Sequence, residues 1–201
     1  TNDNGGTKVI ADFPLFIDGN ATTSGAQATL SAGSHTVSET GDPGYTGAIT
    51  GDCAANGSIT LALGDVKACT ITNDDKAPSL TLTKTVTNNN GGTKTPADFK
   101  LYADGTGVGN DFNGFGPTVN SPAGWDAGTY TLSEDGLPGY GASGWVCVGG
   151  SQTGDQVTVG LGESVTCTII NDDIGPKLTV TKVVTNDNGG TKVIADFPLF
   201  I

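Results

Sequence analysis

Leu80-Thr81-Leu82-Thr83-Lys84-Thr85-Val86 alternates apolar and polar side chains over seven residues, and Leu178-Thr179-Val180-Thr181-Lys182-Val183-Val184 does so again 98 residues later. A period of two is the pattern of a half-buried strand. Both stretches run into an Asn/Asp-rich turn with paired glycines, where positive φ is readily adopted. Thr1 to Ile17 recurs unchanged as Thr185 to Ile201, and a diverged copy starts at Thr87, so the chain is built from unlike repeats of 86 and 98 residues. No run of apolar residues at helical spacing exists, whereas short Val/Ile/Leu/Thr alternations are frequent, so the predicted fold class is all-β. We expect tandem small β-sandwich (prealbumin/Ig-like) domains in a repeat array, divided as 1–76, 77–174 and 175–201.

The same elements recur in each repeat. Ala11 to Phe16 and Ala97 to Tyr102 are predicted as second strands, followed by Ala32 to Glu39 and Ala127 to Glu134, then Pro43-Gly44-Tyr45 and Pro138-Gly139-Tyr140. A closing hairpin is expected in each, from Ser58 to Leu63 with Ala68 to Thr72 and from Gln156 to Leu161 with Ser164 to Ile170. The unit from Thr1 lacks a counterpart of Leu178 to Val184. That strand is expected from a preceding stretch of polypeptide or from a neighbouring subunit, which would leave no unpaired edge.

Composition narrows function. The net charge of −12, with Lys supplying all nine basic residues, opposes binding to nucleic acid or anionic lipid. No apolar span is long enough to cross a bilayer, so membrane insertion is not expected of these residues. The four Cys fall as one pair per repeat, Cys53 with Cys69 and Cys147 with Cys167, and one intra-domain disulfide each is the simplest assignment. Such bonds indicate an oxidising, extracellular setting. Zinc is not expected, because His35 is the only His and stands in one repeat alone. No nucleophile elbow or phosphate loop is present, and an enzyme is not expected.

Strand parity turns three polar residues of each repeat inward. Lys84 travels with Leu80, Leu82 and Val86; Glu134 with Tyr130 and Leu132; Asn171 with Cys167 and Ile169. Glu39 and Asn73 hold the matching places in the first repeat, and Lys182 heads the third. Burying a lone ammonium or carboxylate costs several kcal/mol, so three inward polar residues in two repeats call for an explanation. One is a self-made isopeptide bond, in which a desolvated, neutral Lys attacks the Asn carboxamide while Glu shuttles protons. The others are a buried Lys–Glu ion pair beside the Asn, or edge positions from which Lys snorkels to solvent.

The strings Ala97 to Tyr102, Ala127 to Glu134 with Pro138-Gly139-Tyr140, and Thr168-Ile169-Ile170-Asn171 resemble the collagen-adhesin B-type, or SpaA-like prealbumin-fold, domains of bacterial surface adhesins and pilins. The resemblance runs over both repeats. It implies isopeptide partners Lys84 and Asn171 with Glu134 as the self-cross-linking catalyst, and likewise Glu39, Asn73 and Lys182 for the repeat that shares their pattern. This chain departs from the family in having Val86 and Val184 where an Asp often follows the Lys, and its Cys pairs point to a subgroup braced by disulfides.

Two weaker signals remain. Asp3-Asn4-Gly5-Gly6, Asp74-Asp75 and their counterparts at Asp172-Asp173 and Asp187 could supply oxygens to Ca²⁺, and turn chemistry explains them equally well. Residues 103–126, with Phe112, Phe115 and Trp125, could contact a glycan or protein, although packing against a neighbouring domain fits a fibre better. The expected function is an extracellular fibre, pilus-like filament or adhesin stalk whose partners are its own neighbouring repeats or subunits. The alternative is an adhesive module using the 103–126 loop.

Overall fold

The computed structural model describes residues 1–105 and 110–200. Its first repeat contains β1 (Leu15–Ile17), β2 (Asn20–Thr22), β3 (Gly33–Glu39), β4 (Tyr45–Gly51), β5 (Ser58–Leu61) and β6 (Cys69–Asp75). They form a four-stranded sheet in the order β2-β1-β3-β5 and a two-stranded sheet of β4 and β6. The second repeat contains β7 (Ser79–Thr87), β8 (Lys100–Gly105), β9 (Phe112–Phe115), β10 (Thr118–Asn120), β11 (Gly128–Glu134), β12 (Tyr140–Ala142), β13 (Val146–Val148), β14 (Ser151–Thr153), β15 (Gln156–Val159) and β16 (Ser164–Asp173). Here the sheets are β10-β7-β16-β12, with β13 also on β16, and β14-β15-β11-β8-β9. The architecture is all-β, with two sheets in each repeat. Among the described residues no helix is long and apolar enough to cross a membrane.

In the second repeat the first and last strands are neighbours. β7 runs parallel to β16 from Ser79 opposite Ser164 to Thr87 opposite Asp172. Leu80, Leu82, Leu101, Trp125, Tyr130 and Val157 are fully buried between the sheets. The first repeat has no strand along the corresponding edge of β6 among the described residues. Its inward side chains are consequently less covered: Leu15, Val37 and Ile59 are half-buried, whereas their counterparts Leu101, Leu132 and Val157 are buried. A cavity of about 780 Å³ opens among Leu15, Ile17, Val37, Ile59, Leu61 and Ile71.

Several local expectations are corrected. The stretches Ala11 to Phe16 and Ala97 to Tyr102 are not continuous strands: each starts with a 3₁₀ turn, Ile10–Asp12 or Pro96–Asp98. Asp12 and Asp98 accept the N–H of Val9 and Thr95, each at 2.8 Å, which closes the turn before the strand begins. The closing hairpins are not formed either. β5 pairs with β3 while β6 pairs with β4, and β15 pairs with β11 while β16 pairs with β7. Successive strands that each bury an apolar face can meet across a core, and here Val157 and Val159 lie in one sheet while Val165, Cys167 and Ile169 lie in the other.

The 103–126 segment is also reassigned. Residues 106–109 of it lie outside the described residues; the rest supplies the end of β8, then β9 and β10, the last of which covers the outer edge of β7. Trp125 is fully buried in its own repeat's core, stacked on Tyr130 with ring centroids 4.1 Å apart, and donates from Nε1 to the Asn110 carbonyl at 2.8 Å. Phe112 is buried beside it, and only Phe115, 59% exposed, faces outward. The aromatics pack mainly inward, so two of the three proposed for adhesion are inaccessible, while the end of the segment meets the first repeat, where Asp126 lies against Gly5 and the Ala127 N–H donates to the Asn4 carbonyl at 2.9 Å. Finally, Leu178 to Val184 forms no strand, because no other strand lies beside it; Leu178 and Val183 are exposed.

Candidate functional site

β7 carries Lys84, β11 carries Glu134 and β16 carries Asn171, so the site spans both sheets of the second repeat. Leu80, Leu82 and Lys84 share an inner face, which leaves the Lys84 side chain 0% exposed. Snorkelling to solvent is thereby ruled out. Lys84 Nζ donates to Glu134 Oε2 and to Asn171 Oδ1, each at 2.5 Å. The Phe99 ring closes the third side, its centroid 4.5 Å from Nζ. Burial lowers the Lys84 pKa, and the adjacent Glu134 carboxylate offsets only part of that effect. Glu134 Oε1 is buried and has no hydrogen-bond partner among the described residues. An amine biased toward its neutral form therefore sits in contact with a carboxamide and a carboxylate, with one carboxylate oxygen free to take a further proton.

The first repeat assembles two thirds of the same cluster. Asn73 Nδ2 donates to Glu39 Oε2 at 2.8 Å, and Gly47, opposite Asn73 on β4, leaves room for the pair: a Cβ there would lie 2.5 Å from Glu39 Oε1. No lysine joins them among the described residues. Lys182 is placed elsewhere, its Nζ 4.5 Å from the centroid of Phe197.

Below each cluster lies a carboxylate clamp whose role the sequence reading did not isolate. Asp173 accepts N–H donors from Asn89 at 2.8 Å, Asn90 at 2.9 Å and Gly92 at 2.6 Å. Asp75 does the same with Asp3 at 3.0 Å, Asn4 at 2.9 Å and Gly6 at 2.7 Å. Burial pushes the Asp75 pKa up, but these donors outweigh it and hold the carboxyl at about 2; Asp173 is lowered in the same way. Tyr45 and Tyr140 seal the clamps, each hydroxyl donating to Asn2 or Asn88 and accepting the N–H of Lys8 or Lys94. The signal was present in the sequence, since Asp173 shares parity with Asn171 and Ile169. Asp3, Asp74 and Asp75 do converge within 4.8 Å, but the Asp75 oxygens are already engaged by backbone N–H groups.

Cys53 is bonded to Cys69, with Cα atoms 5.3 Å apart, and Cys147 to Cys167, with Cα atoms 4.0 Å apart. In both repeats the second Cys lies on the strand that carries the inward Asn, six residues before the clamp Asp. With sheets, cluster and disulfides repeated in this order, the chain matches the SpaA_2 family of prealbumin-like fold domains over residues 1–71 and 75–169. It belongs to that family. The two matched segments meet at the end of β6, between the two prealbumin-like repeats. Among solved structures, the chain is similar to the major pilin protein (T-13) from Streptococcus pyogenes, at 14% identity over 81% of this chain and 88% of that one, with a TM-score of 0.37. It is also similar to the major pilin protein (T3.2) from the same organism, at 15% identity over 71% of this chain and 67% of that one, with a TM-score of 0.34. No curated protein matches.

Proposed function

We propose that this protein is an extracellular load-bearing element of a fibre, pilus-like filament or adhesin stalk, and that its second repeat is locked by an isopeptide bond between Lys84 and Asn171. The observation that carries the reading is a buried lysine within 2.5 Å of both a carboxylate and a carboxamide, on the first and last strands of the domain. The Lys84 amine attacks Asn171 Cγ; the Nζ–Cγ bond forms and the Cγ–Nδ2 bond breaks. Glu134 relays a proton from Nζ to the departing nitrogen, which leaves as ammonia. The cross-link lies in adjacent parallel strands, so force entering at Ser79 and leaving at Asp173 passes through it and bypasses the rest of the sandwich. Two disulfides and an acidic, arginine-free surface fit an oxidising extracellular setting.

Intact-mass measurement after reduction tests the proposal. One ammonia is missing from the second repeat of the unaltered chain, and the deficit vanishes in Lys84→Ala and in Glu134→Gln. A full-mass second repeat in the unaltered chain overturns it.

A further inference from the structure

Lys76, Ala77 and Pro78 are all the chain that separates β6 from β7, and they are not a free tether. The Lys76 N–H donates to the Gly44 carbonyl of the first repeat at 2.9 Å, and the Lys76 carbonyl accepts the N–H of Gly162 of the second at 2.9 Å. Lys76 Nζ donates to the Pro43 carbonyl at 2.8 Å, and Pro78 is buried. The next residue, Ser79, donates its N–H to the Glu163 carbonyl at 2.8 Å. A connection this short, with backbone bonds to both sides, has little freedom left to bend.

Two further contacts hold the repeats to one another directly. Gly44 lies against Leu161, where a Cβ would come within 3.0 Å of the Leu161 Cβ. The Asn4 carbonyl accepts the N–H of Ala127 at 2.9 Å, and a Cβ on Gly5 would lie 2.7 Å from the Ala127 carbonyl oxygen. The Asn4–Gly5 turn is itself fixed, because Asp75, the last residue of β6, accepts the N–H groups of Asp3, Asn4 and Gly6. That clamp therefore closes the first repeat and also presents a held carbonyl to the second. On the far side, Ala127 immediately precedes β11, Leu161 to Glu163 form the turn into β16, and Ser79 opens β7. The three strands that carry Glu134, Asn171 and Lys84 all begin at the junction.

We propose that this junction is a built interface that fixes the angle between the two repeats, so that they move as one stiff body. Gly5 and Gly44 are the residues whose missing side chains let the repeats close, and Asp75 is the positioning residue that holds the Asn4–Gly5 turn in place. Domains in series ordinarily move relative to one another, so the stiffness is a property of these contacts and not of tandem arrangement as such. Restraint from separate segments of each repeat opposes bending and twisting alike. Load leaving the first repeat then enters β7, β11 and β16 at their starts. The covalent lock proposed between Lys84 and Asn171 lies on the same path, but the junction makes no use of it.

Residual dipolar couplings of the strand amides, measured on the full chain, test the proposal. One alignment tensor is expected to fit β1 to β6 and β7 to β16 together. Gly44→Val, at a glycine outside the positive-φ region, should push the repeats apart and require two tensors, while the strand chemical shifts of both repeats hold. Gly5→Ala should do the same from a different segment, and it decides the matter if Gly44→Val unfolds its repeat. Because Gly5 has φ +85°, any side chain there is strained; Gly91→Ala, at φ +95° with nothing within 4 Å, carries the same strain without the contact and should keep one tensor. Two tensors in the unaltered chain overturn the proposal, as does a single tensor in both Gly44→Val and Gly5→Ala. Equal separation in Gly5→Ala and Gly91→Ala overturns the part assigned to Gly5, leaving strain as its cause. Intact mass of the same samples reports the Lys84–Asn171 bond independently, so a missing bond with a single tensor overturns the lock and leaves the junction standing.

Discussion

Lys84 and Asn171 are 87 positions apart in the chain and in hydrogen-bond contact in the fold, Nζ to Oδ1 at 2.5 Å, from adjacent parallel strands. They are not directly opposite: Lys84 faces Ile169 and reaches two residues along β16 to the Asn. That diagonal reach brings Lys84 Nζ within 2.5 Å of Glu134 Oε2 on the facing sheet. Lys84→Met keeps the apolar stem but leaves Glu134 Oε2 and Asn171 Oδ1 buried without their shared donor. We expect the second repeat to lose about 3 kcal/mol in denaturant unfolding, because two buried acceptors are left unsatisfied. Loss of the proposed covalent lock would add to this.

The clamps make the fold acid-sensitive. The Asp75 carboxyl is held at about 2, below its ordinary 3.8, and Asp173 is lowered by the same kind of N–H donors. A depressed carboxylate contributes stability that is fully present above the ordinary value and lost as pH falls through the folded one. Thermal melts should therefore fall between about pH 4 and pH 2. Asp173→Asn should flatten that fall for the second repeat while lowering its melting temperature at neutral pH.

His35 works in the opposite direction. It holds in the first repeat the position Tyr130 holds in the second, bonded to Asp18 Oδ2 at 2.7 Å and to the Ser31 carbonyl at 2.9 Å. The bond to Asp18, helped by Ser31, raises the His35 pKa above 6.5. Its contribution is complete below 6.5 and lost as pH rises through the raised value. NMR titration should find the His35 pKa above 6.5, and Asp18→Asn should bring it down.

Each disulfide should be separable from the rest of the fold. The Cys147–Cys167 bond joins directly opposed residues of β13 and β16, 20 positions apart. Reduction should cost the second repeat about 3 kcal/mol by the chain-entropy account, read as a lower denaturant midpoint.

Trp125 and Phe115 provide a contrast within one segment. Trp125→Ala empties the centre of the second core and should destabilise it by about 3–5 kcal/mol. Phe115→Ala, at an exposed site, should change stability by about 0.5 kcal/mol or less. Were the segment a binding loop, the order of effects would reverse in a glycan- or protein-binding assay and stability would stay unchanged.

Alternation in Leu80 to Val86, in Tyr130 to Glu134 and in Cys167 to Asn171 was sufficient to turn Lys84, Glu134 and Asn171 inward, because side-chain direction in a strand is a local property. The repeat of Thr1 to Ile17, the Cys pairing and the all-β class were equally local. Sheet membership was not. Whether β5 pairs with β6 or crosses the core from it depends on which faces must meet, and the alternating pattern is the same in either arrangement. Nor could the segment around Trp125 be assigned from composition, since an aromatic reads alike in a loop and in a core. The tertiary structure decided that the first and last strands lie side by side, which alone converts three inward polar residues into one site. It decided as well that Leu178 to Val184, a strand by every local measure, stays unpaired in this chain: a strand is completed by hydrogen bonds to a neighbour, and its own sequence cannot supply one.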